Sequence, residues 1–344
     1  MYHFDSDYME GAHPAILERL TAINFDKHDG YGCDSICDSA RARIREACGA
    51  PGAEVHLLTG GTQTNATMIK ALLRPFEGAV AADTGHINIH EAGAVEATGH
   101  KVLPLPHTDG KLCAETVARY IDDFRADGNR DHMVWPGMVY ISQPTEYGTL
   151  YTLDELEALS RVCRSRSIPL YMDGARLGYA LAAPACDMTL RDIARLCDIF
   201  YIGGTKCGAL LGEAVVIPRA GLIPHLFTTI KQQGALLAKG WVIGVQFDTL
   251  FTDGLYLDIA REAIDTAARL ADGLAAAGFR TAFQPITNQI FLRLDPQSLQ
   301  TLSAVATFSP WEKLADGTQI VRLATSWATQ MEEIEAFLAE LGRK

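Results

Sequence analysis

No run of about 18 consecutive apolar residues occurs anywhere in the chain, so no helix in it is expected to cross a membrane. Positive charge is scarce: 30 Lys and Arg stand against 42 Asp and Glu, a formal net charge of −12. A surface of that sign repels phosphate backbones and anionic lipid headgroups, so neither nucleic acid nor a membrane is an expected partner. Cysteine is sparse and scattered, with eight residues and no C-x-x-C pair. Cys33 and Cys37, with His28 nearby, have a spacing a metal could use, but reduced thiols of a cytoplasmic protein are the better reading, and no metal is expected. Met1 to Asp7 has neither a basic region nor an apolar stretch, so no secretory leader is expected. Two phosphate signatures are missing: G-x-x-x-x-G-K-[ST] and G-x-G-x-x-G, so nucleoside triphosphates and dinucleotides are not indicated. There is no internal repeat and no low-complexity segment.

What is present is ordinary globular material. The 344 residues are 48% hydrophobic and 21% charged, enough for a large core and about two domains. From about residue 15 to 245, short apolar runs alternate with helical patterns at least five times, which predicts a mostly parallel sheet covered on both faces. After that the pattern changes to one long Ala- and Leu-rich helix over 255–278 and two strands near 290 and 320, a smaller α+β unit. The division expected is an N-terminal segment 1–14, a large domain 15–250 and a small domain 251–344. Thr152 with Glu155, and Thr329 with Glu332, match the S/T-x-x-E capping box at two helix starts.

Four predicted strand ends carry reactive or ligand-binding groups. After Val55–Leu58 comes Gly60-Gly61-Thr62 and then a helix. Unpartnered N–H groups at a helix start, approachable across glycines, can hold an anion, although an ordinary helix start reads as well. After the next strand stands His86, alone an unremarkable polar end. Asp173 and Arg176 follow the strand ending at Met172. Finally Gly203-Gly204-Thr205-Lys206 follows an apolar strand. Taken alone, that last window reads as a surface lysine in a glycine turn more readily than as a nucleophile. In an open α/β sheet, however, ligands gather at the carboxyl ends of the strands. A phosphate nest, a ring-sized side chain, a buried carboxylate and a lysine are what pyridoxal 5'-phosphate needs. The lysine takes the cofactor aldehyde, the Asp pairs with the ring nitrogen, and an aromatic side chain stacks on the ring.

These residues resemble the threonine aldolase group of fold-type-I pyridoxal phosphate enzymes, within the β-eliminating lyases, over nearly the whole chain. Met172-Asp173-Gly174-Ala175-Arg176-Leu177 is similar to the family's "DGARL", and Thr205-Lys206 stands in the place of its cofactor lysine. Thr59 to Asn65 is similar to its phosphate loop, and His86-Ile87 with Glu91-Ala92-Gly93 to its "HI…EAG" stretch, where the histidine stacks on the ring. The resemblance implies an aspartate aminotransferase-like α/β fold. Arg176, Arg322 and Ser6 would contact the substrate carboxylate. Tyr31 and Lys231 would reach a neighbouring subunit's site in a homodimer or homotetramer. The implied activity is cleavage of threonine, allo-threonine or a related β-hydroxy-α-amino acid to glycine and an aldehyde. One departure stands out. Where several relatives have a histidine facing the substrate β-substituent, this chain has Glu146 followed by Tyr147, in a form closer to the phenylserine aldolase branch. The base could then be His86, Glu146 or Glu91. The alternatives are another reaction on the same cofactor, β-elimination or transamination, and a non-catalytic scaffold that keeps the fold.

Overall fold

The computed structural model describes residues 1–343. Seven strands form the central sheet: β1 (Glu54–Leu58), β2 (Glu77–Ala82), β3 (Val102–Leu105), β4 (Trp135–Ser142), β5 (Leu170–Asp173), β6 (Ile199–Gly203) and β7 (Glu213–Ile217). Their order across the sheet is β1-β7-β6-β5-β4-β2-β3. The pairs from β6 through β3 are parallel, and β7 runs antiparallel to both neighbours.

The strands read as unbroken apolar runs because helices cover both sheet faces. Side chains nonetheless alternate between two cores. Val139, Ile141, Leu170, Met172, Phe200 and Ile202 enter one. Met138, Tyr140, Tyr171, Ile199 and Tyr201 enter the other. The period of two therefore puts Tyr140, Tyr171 and Tyr201 on one face of three adjacent strands, with the rings of Tyr140 and Tyr171 stacked at 5.7 Å.

A 22-residue helix, Leu255–Ala276, leads into an antiparallel sheet of β8 (Arg280–Thr281), β9 (Gln289–Leu294), β10 (Ser309–Lys313) and β11 (Gln319–Ala324), ordered β10-β11-β9-β8. Its core gathers Leu270, Leu274, Ile290, Leu292, Val321, Leu323 and Phe337, and it also takes Phe4 from the opposite end of the sequence. Tyr2–His3 pairs in parallel with Ala306–Thr307. The first residues are thus threaded along the small unit and delivered to the cleft between it and the large sheet.

The capping box at Thr152 and Glu155 forms as expected. The one at Thr329 and Glu332 does not. That helix begins at Met331 behind an uncapped Gln330, and Thr329 Oγ1 instead accepts from the Ser326 N–H at 2.9 Å. The hydroxyl closes the preceding turn, a local bond that competes with helix capping.

Candidate active site

The carboxyl ends of β1, β2, β4, β5 and β6, together with the start of antiparallel β7, converge on a cavity of about 370 Å³. A second cavity of about 320 Å³ adjoins it on the side of β10 and β11 and shares Tyr8, His86, His90, Glu146, Arg176 and Lys206 with it. Gly60 sits beside the first as the helix N-cap, while Gly61, Thr62, His86, Glu146, Asp173, Arg176, Thr205 and Lys206 all line it.

Lys206 enters three residues past the end of β6. Close backbone contact between neighbouring turns sets its position. A Cβ on Gly203 would lie 2.2 Å from the Ala175 carbonyl, so only glycine lets the turn after β6 nest against the turn after β5. Burial pushes the Lys206 amine below its ordinary pKa and nearby Arg176 adds to that, although Asp7, Asp173 and Glu213 pull the other way. An amine so placed loses its proton more readily than a surface lysine.

Asp173 accepts four hydrogen bonds: Tyr201 hydroxyl at 2.5 Å and the Ala175 N–H at 3.0 Å on Oδ1, Tyr140 hydroxyl at 2.5 Å and Asn65 Nδ2 at 2.9 Å on Oδ2. Burial alone would raise its pKa. The attraction of His86 and the bonds from Tyr140, Tyr201 and Asn65 outweigh burial, and the carboxyl titrates below its ordinary value. Tyr171 donates to Asn65 Oδ1 at 2.9 Å and fixes which way that amide faces. The three-tyrosine face of the sheet is therefore the support of one ionised carboxylate.

The helix Gly61–Leu72 starts without a side-chain cap at Gly60, and its first turn lines the cavity. Its free N–H groups and partial positive charge suit an anion. A Cβ on Gly61 would come within 3.1 Å of the Tyr201 hydroxyl, so glycine keeps this approach open. Thr205 lines the same space, but its hydroxyl donates to Glu213 Oε1 at 2.9 Å and accepts from the Gly212 N–H at 3.0 Å.

His86 Nδ1 lies 2.8 Å from Glu91 Oε1, and Asn65 joins Glu91 to Asp173. Among the described residues, His86, Glu91 and Asp173 form the one cluster with metal-ligating spacing, and hydrogen bonds already link its members; Cys33, Cys37 and His28 form none. Glu146 is buried rather than solvated in its loop. Its Oε1 accepts from the His86 N–H at 2.9 Å and the Ser142 hydroxyl at 2.6 Å, and burial raises its pKa. Tyr147 turns away and stacks on Phe283 at 4.5 Å.

Arg176 is held by Asp7, with Nε donating to Oδ2 at 2.6 Å and Nη2 to Oδ1 at 2.9 Å. Asn288 donates a third bond to that carboxylate. Burial opposes ionisation of Asp7, but Arg176 and Lys206 hold its pKa far below the carboxylate range. Arg322 is more loosely kept. Its donors reach Gln289 Oε1 at 3.3 Å, the Asp5 carbonyl at 3.1 Å and Ser309 Oγ at 3.4 Å, and Nε is buried with no partner. Burial lowers its pKa to about 10, with Arg176 adding to the effect. It lies over Trp311, 5.4 Å from the ring centre, in the wall of the second cavity. Ser6 is half-buried and lines neither cavity, whereas Tyr8, two residues on, lines both. Tyr31 and Lys231 line neither cavity. They meet each other at the surface, the ammonium 4.4 Å from the ring centre, and Tyr31 carries a φ of 62°.

Glu213, Asp7, Tyr140, Tyr201, His90 and Trp311 were not anticipated, and Asn65, expected only as part of the phosphate loop, instead bonds Asp173 and Glu91. Two of them have a visible signal: Glu213 is an acid opening an otherwise apolar strand just after the lysine turn, and Asp7 is an acid in the N-terminal segment beside Ser6. The tyrosines read as core, and the strand period alone does not say that three hydroxyls converge.

An ionised carboxylate, an uncapped helix start, a half-buried lysine with a lowered pKa and a cavity of this size fit pyridoxal phosphate. The comparisons agree. The chain is 44% identical to a Leishmania major threonine aldolase structure, superposing with a TM-score of 0.95 over 100% of this chain and 99% of that one. It is 27% identical to a low specificity L-threonine aldolase of Pseudomonas aeruginosa, over 98% of this chain and 96% of that protein. Aspartate aminotransferase of Thermus thermophilus, at 17% identity and a TM-score of 0.73 over 100% of this chain and 91% of that one, shares the fold. A family model described as beta-eliminating lyase matches residues 3–336, and the chain belongs to that family.

Proposed function

We propose that this protein is a pyridoxal phosphate-dependent aldehyde-lyase that cleaves β-hydroxy-α-amino acids such as threonine, allo-threonine or phenylserine to glycine and an aldehyde. The observation that carries this reading is the convergence of Lys206, Asp173 and the uncapped Gly61 helix on one cavity that opens toward the under-bonded Arg322. When bound, the cofactor supplies an electron sink that stabilises negative charge at the substrate Cα.

The chain's own residues supply the rest. With the cofactor bound, Lys206 would hold its aldehyde, Asp173 would pair with the ring nitrogen, His86 would face the ring, and Gly60, Gly61 and Thr62 would receive the phosphate. Arg322 orients the substrate through its carboxylate. Arg176 contributes positive charge beside it while bound to Asp7, with Ser6 and Tyr8 in the same segment. Glu146 takes the β-hydroxyl proton: it lines both cavities, and its raised pKa places it nearer the working range of a general base. Trp311 and His90, ring centres 5.3 Å apart, wall the second cavity with aromatic surface and favour a flat β-substituent.

The active form is a homodimer or homotetramer whose subunits complete one another's sites. Tyr31 and Lys231 support this, since they sit together, exposed and outside their own chain's cavity. The eight thiols are unpaired, which suits the reducing cytoplasm.

Incubation of the holoprotein with threonine, allo-threonine and phenylserine, with glycine assayed as product, tests the activity. A keto acid without glycine would sink it. Light scattering tests the assembly, and a fully active monomer would remove the shared site.

A further inference from the structure

Glu213 occupies an odd position. It is the first residue of β7, opposite Gly203 at the end of β6, and lines the cavity with Gly61, Thr62 and Lys206. It is 3% exposed. Its carboxyl receives the Thr205 hydroxyl at 2.9 Å and the Gly204 N–H at 3.3 Å, and neither partner is a cation. A buried acid therefore sits in the same cup as the helix start that suits a phosphate. Two anions cannot share a desolvated space without cost, because repulsion there is screened far less than in water.

We propose that Glu213 couples cofactor capture to proton uptake: it is a carboxylic acid when the phosphate is seated and a carboxylate once the cup is empty at higher pH. This deepens the function proposed above and rests on its assignment of the cup to phosphate. The titratable groups close enough to interact electrostatically with Glu213 are Lys206 on the turn between β6 and β7, Asp173 at the end of β5, and the hydroxyls of Tyr201 on β6, Tyr171 on β5 and Tyr256 on the long helix. Burial already pushes its pKa up, with Asp173 adding to that against the pull of the Thr205 bond and Lys206. A seated phosphate raises it further. The bound state thus holds more protons than the free state, and linkage requires affinity to fall as pH rises. One proton sets the limit at about tenfold per pH unit above the pH where Glu213 ionises in the free protein.

Thr205 fits the same scheme. Its hydroxyl bonds Glu213 rather than an incoming ligand, so it holds the acid in place and closes the turn to Gly212. Lys206 also loses charge as pH rises and weakens anion binding, so the contribution of Glu213 must be read as a difference between proteins.

The experiment uses the apoprotein and 4′-deoxypyridoxine 5′-phosphate, which lacks the aldehyde and so does not react with Lys206. Dissociation constants are measured by ligand fluorescence from pH 6 to 9.5 for wild type and Glu213→Gln, with unphosphorylated 4-deoxypyridoxine as control. The two proteins should bind the phosphorylated ligand alike at pH 6, and the variant should bind it at least tenfold more tightly at pH 9.5. The control ligand should show no such divergence. A wild-type-to-variant ratio that is the same at both ends of the range overturns the proposal. So does a divergence shared by the control ligand. If the variant fails to fold, wild type alone decides: both Glu213 and Lys206 act in one direction, so an affinity for the phosphorylated ligand with no more pH dependence than the control overturns it. Absence of any binding by either ligand removes the cofactor reading itself, an outcome distinct from pH-independent binding.

Discussion

Replacing Arg322 with methionine should separate function from stability. The guanidinium is buried against Trp311 and meets only long contacts of 3.1–3.4 Å, with Nε unpaired. Its pKa is held down to about 10, which corresponds to about 3 kcal/mol against the charged form. Three long hydrogen bonds at about 0.5–1.5 kcal/mol each offset a similar amount. Arg322→Met removes both contributions and fills the volume with an apolar stem, so stability in urea should stay within about 1.5 kcal/mol of wild type. Substrate handling should not survive so well. Losing one partner of a buried charge pair costs about 2–5 kcal/mol, or roughly 30- to 5,000-fold in kcat/KM for phenylserine. The control is 2-amino-1-phenylethanol, phenylserine without its carboxylate, whose binding to the two proteins should match within about threefold. The reasoning fails if the variant loses more than about 3 kcal/mol of stability with kcat/KM intact, or if both ligands weaken equally.

Glu146→Gln should lower kcat about 10²- to 10⁴-fold while leaving cofactor absorbance in place. The wild-type pH profile should fall on its acid side above the ordinary carboxylate range, and that limb should vanish in the variant; an unchanged profile would exclude Glu146 as the base. Asp7→Asn leaves Arg176 buried with no counter-charge and should cost about 3–5 kcal/mol at pH 7. Asp7 titrates below its unfolded value, so its contribution is present above about pH 4 and lost as pH falls below it. The gap between the two proteins in urea melts should therefore close under acid, and a gap constant from pH 7 to 3 would refute the pairing argument. Gly61→Ala places a methyl 3.1 Å from the Tyr201 hydroxyl and should cost about 1–3 kcal/mol of cofactor affinity, read by fluorescence titration. Binding as tight as wild type would show that the helix start has room to spare.

The large sheet was legible because each of its strands is a short apolar run closed by a polar or glycine-rich turn, and the parallel order follows from the helices between them. Lys206, Asp173, His86 and Gly61 were legible because they stand at those turns, where sequence and cleft coincide. Contacts between distant segments were not. Asp7 and Arg176 are 169 positions apart, and they meet because the N-terminal segment is tied to the small unit by the pairing of Tyr2–His3 with Ala306–Thr307 and by Phe4 in its core. Three tyrosines on three strands carry no local mark that distinguishes a supporting hydroxyl from core packing. The choice of base among His86, Glu146 and Glu91 stayed open because nothing in the polar loop around Glu146 marks that carboxyl as buried beneath the His86 N–H.

Nearby charges and hydrogen-bond donors, set against burial, separate the site's acids into two classes. Asp7, Asp173, Glu146 and Glu213 are all buried. Asp173 receives four bonds and Asp7 three, two of them from a guanidinium, and both titrate below the ordinary carboxylate range. Glu146 and Glu213 each receive two bonds from uncharged donors, and both titrate above it. Environments that push like groups apart assign them different chemistry. The fixed charges hold: Asp173 is the partner proposed for the cofactor's ring nitrogen, and Asp7 anchors Arg176 at the cavity wall. The acids with raised pKa values hold a proton more readily than an ordinary carboxyl, one facing the cavity opening toward Arg322 and one in the cup at the Gly61 helix start. Removing a single donor should therefore move an acid from one class toward the other: without the Tyr201 hydroxyl, Asp173 keeps its burial and loses part of what keeps it charged.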